Sequence, residues 1–202
     1  MNEAIMNFSS QWFYDGKVTA APQTAHRGIL DYDNPMEWID DSSYDEGDIG
    51  ETFVGETFGR VNKPEAHKVM EVLQAYFGKI GKSRILDESI DVGIISPYRA
   101  QVHYLRHLIK KNVFFKPFRH LLSVNTVDGF QGQERDVIIV SLVRNNADGQ
   151  IGFLRDLRRM NVAMTRARSK LIIIGDHKTL SHNSFYDKLY KYVQDTSRSL
   201  LP

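Results

Sequence analysis

Two runs late in the chain are apolar for nearly their whole length: Asp136-Val-Ile-Ile-Val-Ser-Leu-Val143 and Lys170-Leu-Ile-Ile-Ile-Gly175. Strands without polar alternation are buried on both faces, the condition of a parallel sheet covered by helical crossovers. Between them, Leu154 to Arg168 repeats apolar residues at helical spacing, with Leu157, Met160, Ala163, Met164 and Ala167 on one face. At about 100° per residue, Arg155, Arg159 and Arg166 fall within about 40° of one another on the opposite side, while Arg168 points elsewhere. A further strand ends in the polar stretch Ser123 to Arg135.

Earlier segments follow the same logic. Residues 1 to 14 place apolar groups at 5, 8, 12 and 13, predicting a short amphipathic helix that opens the chain abruptly, as at a cut edge. Residues 15 to 61 are loop-rich, with one strand at Met36-Glu-Trp-Ile39 and a polar, mobile stretch from Ser42 to Gly50. Lys63 to Phe77 predicts a helix with Val69, Val72, Leu73, Tyr76 and Phe77 inward. Asn62 is its N-cap and Glu65 its capping-box partner. Ile90 to Ile95 is a strand, Pro97 ends it, and a helix over 98 to 111 buries Val102, Leu105, Leu108 and Ile109. The basic, aromatic connector 112 to 120 either stacks nucleic acid or plugs the core, and the core reading is favoured. A last helix spans Phe185 to Val193. The expectation is one α/β domain over 1–195, with an acidic insert at about 28–59 and a frayed tail at 196–202.

Composition narrows the classes. The chain has no cysteine, which excludes disulfides and thiolate metal sites and suggests a reducing compartment. No apolar run approaches membrane-spanning length, so a cytoplasmic protein without membrane contact is expected. The net charge of +1 conceals a segregation. Residues 28 to 59 hold ten acids and no Lys or Arg, leaving 26 bases against 15 acids elsewhere. A basic body with an acidic excursion suits a polyanion partner, although an ordinary solvated surface has the same composition.

Ligands of a parallel sheet gather at the carboxyl ends of its strands. Tyr98, Arg99 and Gln101 are expected at that edge, either facing a ligand or forming a helix cap with a solvated Arg, with the Gln131-Gly-Gln-Glu134 turn and Arg166 as candidates to lie beside it. A line of guanidinium groups calls for an anion, or else for carboxylates such as Asp128, Glu134, Asp136 or Asp156. Two apparent phosphate motifs fail on context. Gly81-Lys-Ser83 lacks the glycine five residues upstream, where Tyr76 stands, and it follows a helix. Ile85-Leu-Asp-Glu88 has too short an apolar run to be a metal-binding strand end.

Longer motifs carry a resemblance. Thr126-Val-Asp-Gly-Phe-Gln-Gly-Gln-Glu134 and Arg158-Arg-Met-Asn-Val-Ala-Met-Thr-Arg-Ala-Arg168 resemble motifs V and VI of superfamily 1 helicases. The branch is the 5′-to-3′ one containing the nonsense-mediated-decay helicase and its DNA-acting relatives. Ile94-Ile-Ser-Pro-Tyr-Arg-Ala-Gln101, Asn62-Lys-Pro-Glu-Ala66 and Phe13-Tyr-Asp-Gly16 fit the same pattern, so the likeness runs from residue 1 to about 190.

The resemblance implies the second of two RecA-like domains. The fold would be a three-layer α/β/α domain with a mainly parallel sheet, of the phosphate-loop NTPase superfamily but without its own phosphate loop. It implies ATP in a cleft shared with a first RecA-like domain, which also holds Mg²⁺, so that this chain alone is inactive. By the same resemblance Arg166 is the arginine finger, and Gln131 and Gly132 sense the γ-phosphate. Glu65, Glu134 and Arg159 contact the nucleotide, the two carboxylates through ribose hydroxyls. Ser96, Tyr98, Arg99, Thr126 and Asp128 hold the backbone of single-stranded DNA or RNA. The alternative is a non-catalytic nucleic-acid-binding module on the same fold. A dinucleotide-dependent oxidoreductase is excluded, since no Gly-x-Gly-x-x-Gly follows a strand.

Overall fold

The computed structural model describes residues 1–41, 50–55, 59–130 and 132–198. Helix α1 (Glu3–Phe13) and the single turn α2 (Pro22–Ala25) precede strand β1 (Met36–Asp40) and the strands β2 (Glu51–Val54) and β3 (Gly59–Asn62). Helices α3 (Lys63–Ile80) and α4 (Lys82–Asp87) lead to β4 (Val92–Ile95), α5 (Arg99–Lys111), β5 (Leu122–Asn125) and β6 (Arg135–Ser141). The chain closes with α6 (Leu157–Met164), β7 (Ala167–Gly175), α7 (His177–Leu180) and α8 (Ser184–Arg198).

Five strands form one sheet in the order β1-β7-β6-β4-β5, every neighbouring pair parallel. Because side chains alternate along a strand, Ile138, Val140, Leu171 and Ile173 face one layer with Phe8, Met160 and Leu189. Val137, Ile139, Ile172 and Ile174 face the other, with Val69, Leu105 and Phe118. Both faces are apolar, which is why these strands show no polar alternation. This is the expected RecA-like α/β/α architecture.

The connector belongs to the core: Phe115 and Phe118 are buried, and Phe118 meets Phe77 edge-on at 5.0 Å. Asn62 caps α3 as expected, its Oδ1 accepting from Glu65 N–H at 3.0 Å. The reciprocal half of the box does not form, because Gln101 Oε1 takes the Asn62 N–H at 3.0 Å.

Several expectations are corrected. Helix α6 has eight residues, not fifteen. Ala167 pairs with Arg135 in the sheet, and the Thr165 hydroxyl turns back to Asn161 O at 2.9 Å. Arg155 and Arg166 therefore lie outside the helix, and no line of three arginines exists. Helix α8 continues to Arg198, with Thr196 and Ser197 hydroxyls bonded to Tyr192 O and Val193 O at 2.8 and 2.9 Å, so residues 196–198 are helical rather than frayed.

The acidic insert is partly woven into the fold. Lys170, 1% exposed in the sheet, is answered by Asp33 at 2.8 Å and Glu37 at 2.5 Å, as a buried ammonium requires. Glu51 in the β2–β3 hairpin pairs with Arg144 at 2.6 Å and Arg60 at 3.0 Å. The mobile stretch expected at Ser42 to Gly50 lies outside the described residues, apart from Gly50 itself.

Candidate functional site

One short connection separates the predicted residues into two groups. Strands β5 and β6 are parallel and lie on either side of β4, so residues 126–134 must return from the carboxyl rim of the sheet to its amino rim. They do so across the sheet face, where Phe130 lies against Gly93; a Cβ at Gly93 would stand 2.9 Å from the Phe130 ring. Thr126 follows β5 at the carboxyl rim. Gly132 and Glu134 come just before β6 and Arg166 just before β7, at the amino rim. This corrects the expectation that the Gln-Gly-Gln-Glu turn and Arg166 sit beside the carboxyl ends. Gln131 itself lies outside the described residues.

At the amino rim the Arg166 carbonyl accepts from Arg135 N–H at 2.9 Å, which seats Arg166 beside Glu134 and Arg135. Arg168 reaches Asp91 at 2.8 Å and Asp136 at 3.4 Å, and Arg135 reaches Asp91 at 3.6 Å. Each aspartate also accepts the other's backbone N–H, at 2.7 and 3.2 Å. Burial raises the Asp136 carboxyl pKa, with the Asp91 N–H and the Arg168 charge opposing. Arg166 is half-buried and donates through Nε to Val162 O at 3.3 Å. Among the described residues it has no carboxylate partner. Glu134 is exposed, and Gly132 holds φ +75°, a backbone that suits glycine.

The carboxyl rim carries a cleft of about 420 Å³ walled by Tyr98, Arg99, Thr126, Asp128, Phe153 and Arg159. Arg159 pairs with Asp128 at 3.4 Å and Asp156 at 3.5 Å, both exposed pairs worth little by themselves. It therefore stands apart from Glu134 and Arg166, with which it was grouped. Ser96 is fully buried and outside the cleft wall, because its backbone continues the sheet, with its N–H on Asn125 O at 3.3 Å. Its side chain is closed to a nucleic acid here. Arg99 is exposed.

Glu65 is also corrected. It is 0% exposed; its carboxylate accepts from Val143 N–H at 2.9 and 3.0 Å and from the Ser141 hydroxyl. A ribose cannot reach it. The Asp41 carboxyl, 3% exposed, adjoins it. Burial pushes Asp41 up to about 7, with the Glu65 contact opposing and the charges of Asp176 and Asp40 adding. Burial first, then the Asp41 charge, raise Glu65 well above the carboxylate range.

A carboxyl that holds its proton in the folded state but has lost it in the unfolded one favours folding only at low pH. Its contribution is full below about pH 4 and is lost by about pH 7. At about 1.4 kcal/mol per pKa unit this is on the order of 4 kcal/mol, held jointly by Asp41 and the neighbouring Glu65. Asp41→Asn is thus expected to flatten the fall in melting temperature between pH 5 and pH 8. An unchanged pH slope in thermal denaturation would dismiss the assignment.

The pattern-based reading missed Phe153, which joins the rim from the loop after β6, and Arg144, buried beside it; Asp156 it named only as a carboxylate that could answer the arginines, and Asp156 does pair with Arg159. Gly152 was the available signal: at φ +54° its missing Cβ makes room for Arg144 Nη1 and the Tyr98 hydroxyl, 2.2 and 2.8 Å from where that Cβ would stand.

Fold and rims together define a RecA-like α/β/α domain without a phosphate loop of its own. The family described as "AAA domain" matches residues 1–178, and the chain belongs to it, as the C-terminal RecA-like domain of a superfamily 1 helicase. It is 35% identical to an uncharacterized ATP-dependent helicase of Methanocaldococcus jannaschii, over 96% of this chain and 28% of that protein. Identity is 36% with the DNA polymerase alpha-associated DNA helicase A of Saccharomyces cerevisiae, over 89% of this chain and 27% of the relative. The Regulator of nonsense transcripts 1 homolog of Neurospora crassa is 32% identical over 96% of this chain and 18% of its own length. The chain thus spans less than a third of these curated relatives. A solved C-terminal domain of a possible DNA helicase from Lactobacillus plantarum aligns at TM-score 0.46 and 14% identity, covering 86% of this chain and 84% of that one. Among the described residues no helix is long and apolar enough to cross a membrane.

Proposed function

We propose that this chain is the C-terminal half of an ATP-driven helicase or translocase. In this reading Arg166 delivers positive charge to the γ-phosphate from the amino rim, while Tyr98, Arg99, Thr126 and Asp128 hold one nucleic-acid strand at the carboxyl rim. The carrying observation is the state of Arg166. Its rim neighbours Arg135 and Arg168 are answered by Asp91 and Asp136, whereas Arg166 is answered by no carboxylate among the described residues. A half-buried guanidinium with free Nη groups fits a phosphate oxygen.

Bound nucleotide supplies the transferable phosphoryl group, with its Mg²⁺ held by carboxylates of the first domain. Phosphoryl transfer is driven mainly by positioning and by charge placed against the equatorial oxygens, and a guanidinium at the start of a sheet strand holds its place without reorganising. Glu134 is free to accept from a ribose hydroxyl, and Gly132, at its glycine-type backbone, stands toward the γ-phosphate. At the other rim, contacts to the strand backbone position it without reading sequence. Closure and opening against the first domain alternate the two grips.

The test joins this chain to its first RecA-like domain and measures single-strand-stimulated ATP hydrolysis, expected to be present in the joined protein and nearly absent in the chain alone. Absence of stimulated turnover in a folded, joined protein would reject the reading. A non-catalytic binding module draws support from a cleft built wholly within this chain. It expects submicromolar strand affinity without the first domain, falling with salt at a log–log slope near −0.7 per phosphate contacted. A titration at two salt concentrations separates the two.

A further inference from the structure

We infer that the carboxyl-rim cleft seats one unstacked nucleobase of the bound strand, with Phe153 as its stacking face and Arg99 beside the adjoining phosphate. This rests on reading that rim as the strand-binding side and adds a base-accepting site to it. The cleft floor is apolar, made by Ile95 and Val140 at the strand ends, Leu142 beyond β6, and Met160 and Ala163 of α6. A backbone-only grip has no use for an apolar floor.

At the mouth, Phe153 is 59% exposed and its ring lies 5.3 Å from that of Tyr98, tilted by 36°. It rides on the 3₁₀ turn Gly152–Arg155, and that turn is pinned. Leu154 is buried beneath it, the Leu154 carbonyl takes the Tyr186 hydroxyl at 2.8 Å, and Gly152 packs closely on Arg144 and Tyr98. The ring is therefore placed before any ligand arrives, which lowers the ordering cost of stacking on it.

Size and edge chemistry select the occupant. About 420 Å³ lies near the small end of the range for small-molecule pockets, enough for one base and too small for a helix or a duplex end. Around the apolar floor stand the Thr126 hydroxyl, the Asp128 and Asp156 carboxylates and the Arg159 guanidinium, donors and acceptors suited to the polar edge of a flat heterocycle. Arg99, exposed and without an ion pair among the described residues, supplies the positive charge that a phosphate beside that base requires. A purely apolar side chain of a protein partner would make no use of these exposed rim groups.

Octadeoxynucleotides provide the test, measured with this chain by fluorescence anisotropy at low and moderate salt. An octamer abasic at every position is compared with one carrying a single base and with one carrying eight. The single base is expected to improve affinity about tenfold, the scale of one base–aromatic stack, and further bases are expected to add little. Phe153→Ala, at an exposed position that tolerates truncation, should erase the difference between the abasic and single-base octamers. Phe153→Trp should keep it. A single-base gain that is absent, or that survives Phe153→Ala, overturns the base site while backbone binding still supports the strand reading. If none of the octamers shows salt-dependent binding either to this chain or to the chain joined to its first RecA-like domain, the strand reading itself fails and the base site fails with it.

Discussion

Arg166→Ala, placed in the chain joined to its first RecA-like domain, is expected to lower strand-stimulated ATP hydrolysis by about 10³-fold or more. The residue sits between the end of α6 and the start of β7, and its backbone carbonyl is tied to the Arg135 N–H. Removing the side chain therefore removes charge at a fixed place and leaves its neighbours intact. Its Nε bond to Val162 O is one hydrogen bond at a half-buried position, so the folded state should lose about 1 kcal/mol at most. The expected result is turnover lost at nearly constant melting temperature. Arg166→Lys should recover only part of the rate, since an ammonium is a point charge without the planar fork that spans two oxygens. Turnover close to normal in Arg166→Ala would remove the residue from the catalytic set.

The second large effect is on stability. Glu65→Ala strands the Val143 N–H and the Ser141 hydroxyl in a buried site, at a cost of about 2 to 4 kcal/mol. For a domain of this size that is a fall in melting temperature of roughly 5 to 15 °C. Glu65→Gln keeps an acceptor for both donors, so it should cost less. Nucleotide affinity of the folded, joined protein should not change in either variant. If Glu65→Ala melted normally and bound nucleotide weakly, the ribose role implied by its place in the motif would have to be restored.

Glu65 also shows why part of the site was not legible in the sequence. Its partners Ser141 and Val143 lie 76 and 78 residues away, and Asp41 comes from the acidic segment. No spacing rule links these positions. By contrast, β6, β7, α1, α3 and α5 were legible, because each is a continuous apolar pattern of the right period, with the Asn62 cap marking the start of α3 and Pro97 that of α5. The hairpin β2–β3 was missed: Glu51-Thr-Phe-Val54 and Gly59-Arg-Val-Asn62 are four residues each and lie in an acid-rich stretch. The end of α6 was misjudged because Ala163, Met164 and Ala167 satisfy a helical repeat, while pairing of Ala167 with Arg135 decides the matter through a tertiary contact. Thr126, Asp128, Tyr98 and Arg99 were brought to one cleft as their shared position after parallel strands implies. Arg166 and Glu134 were assigned to the wrong rim, though residues just ahead of a parallel strand belong at its amino end.

Strand β6, the α6 helix and the segment carrying Phe130 all run from one rim to the other. Strand β6 and helix α6 form a strut whose length is set by a few repeats of backbone geometry rather than by loops that can stretch. If Arg166 is pulled as the proposed function has it, that strut gives little, and the pull would reach the cleft near Phe153 as a tilt of the lobe. Movement at the far side is then a matter of leverage, and a substitution that softened the strut, such as glycine within α6, would waste stroke before it harmed either grip.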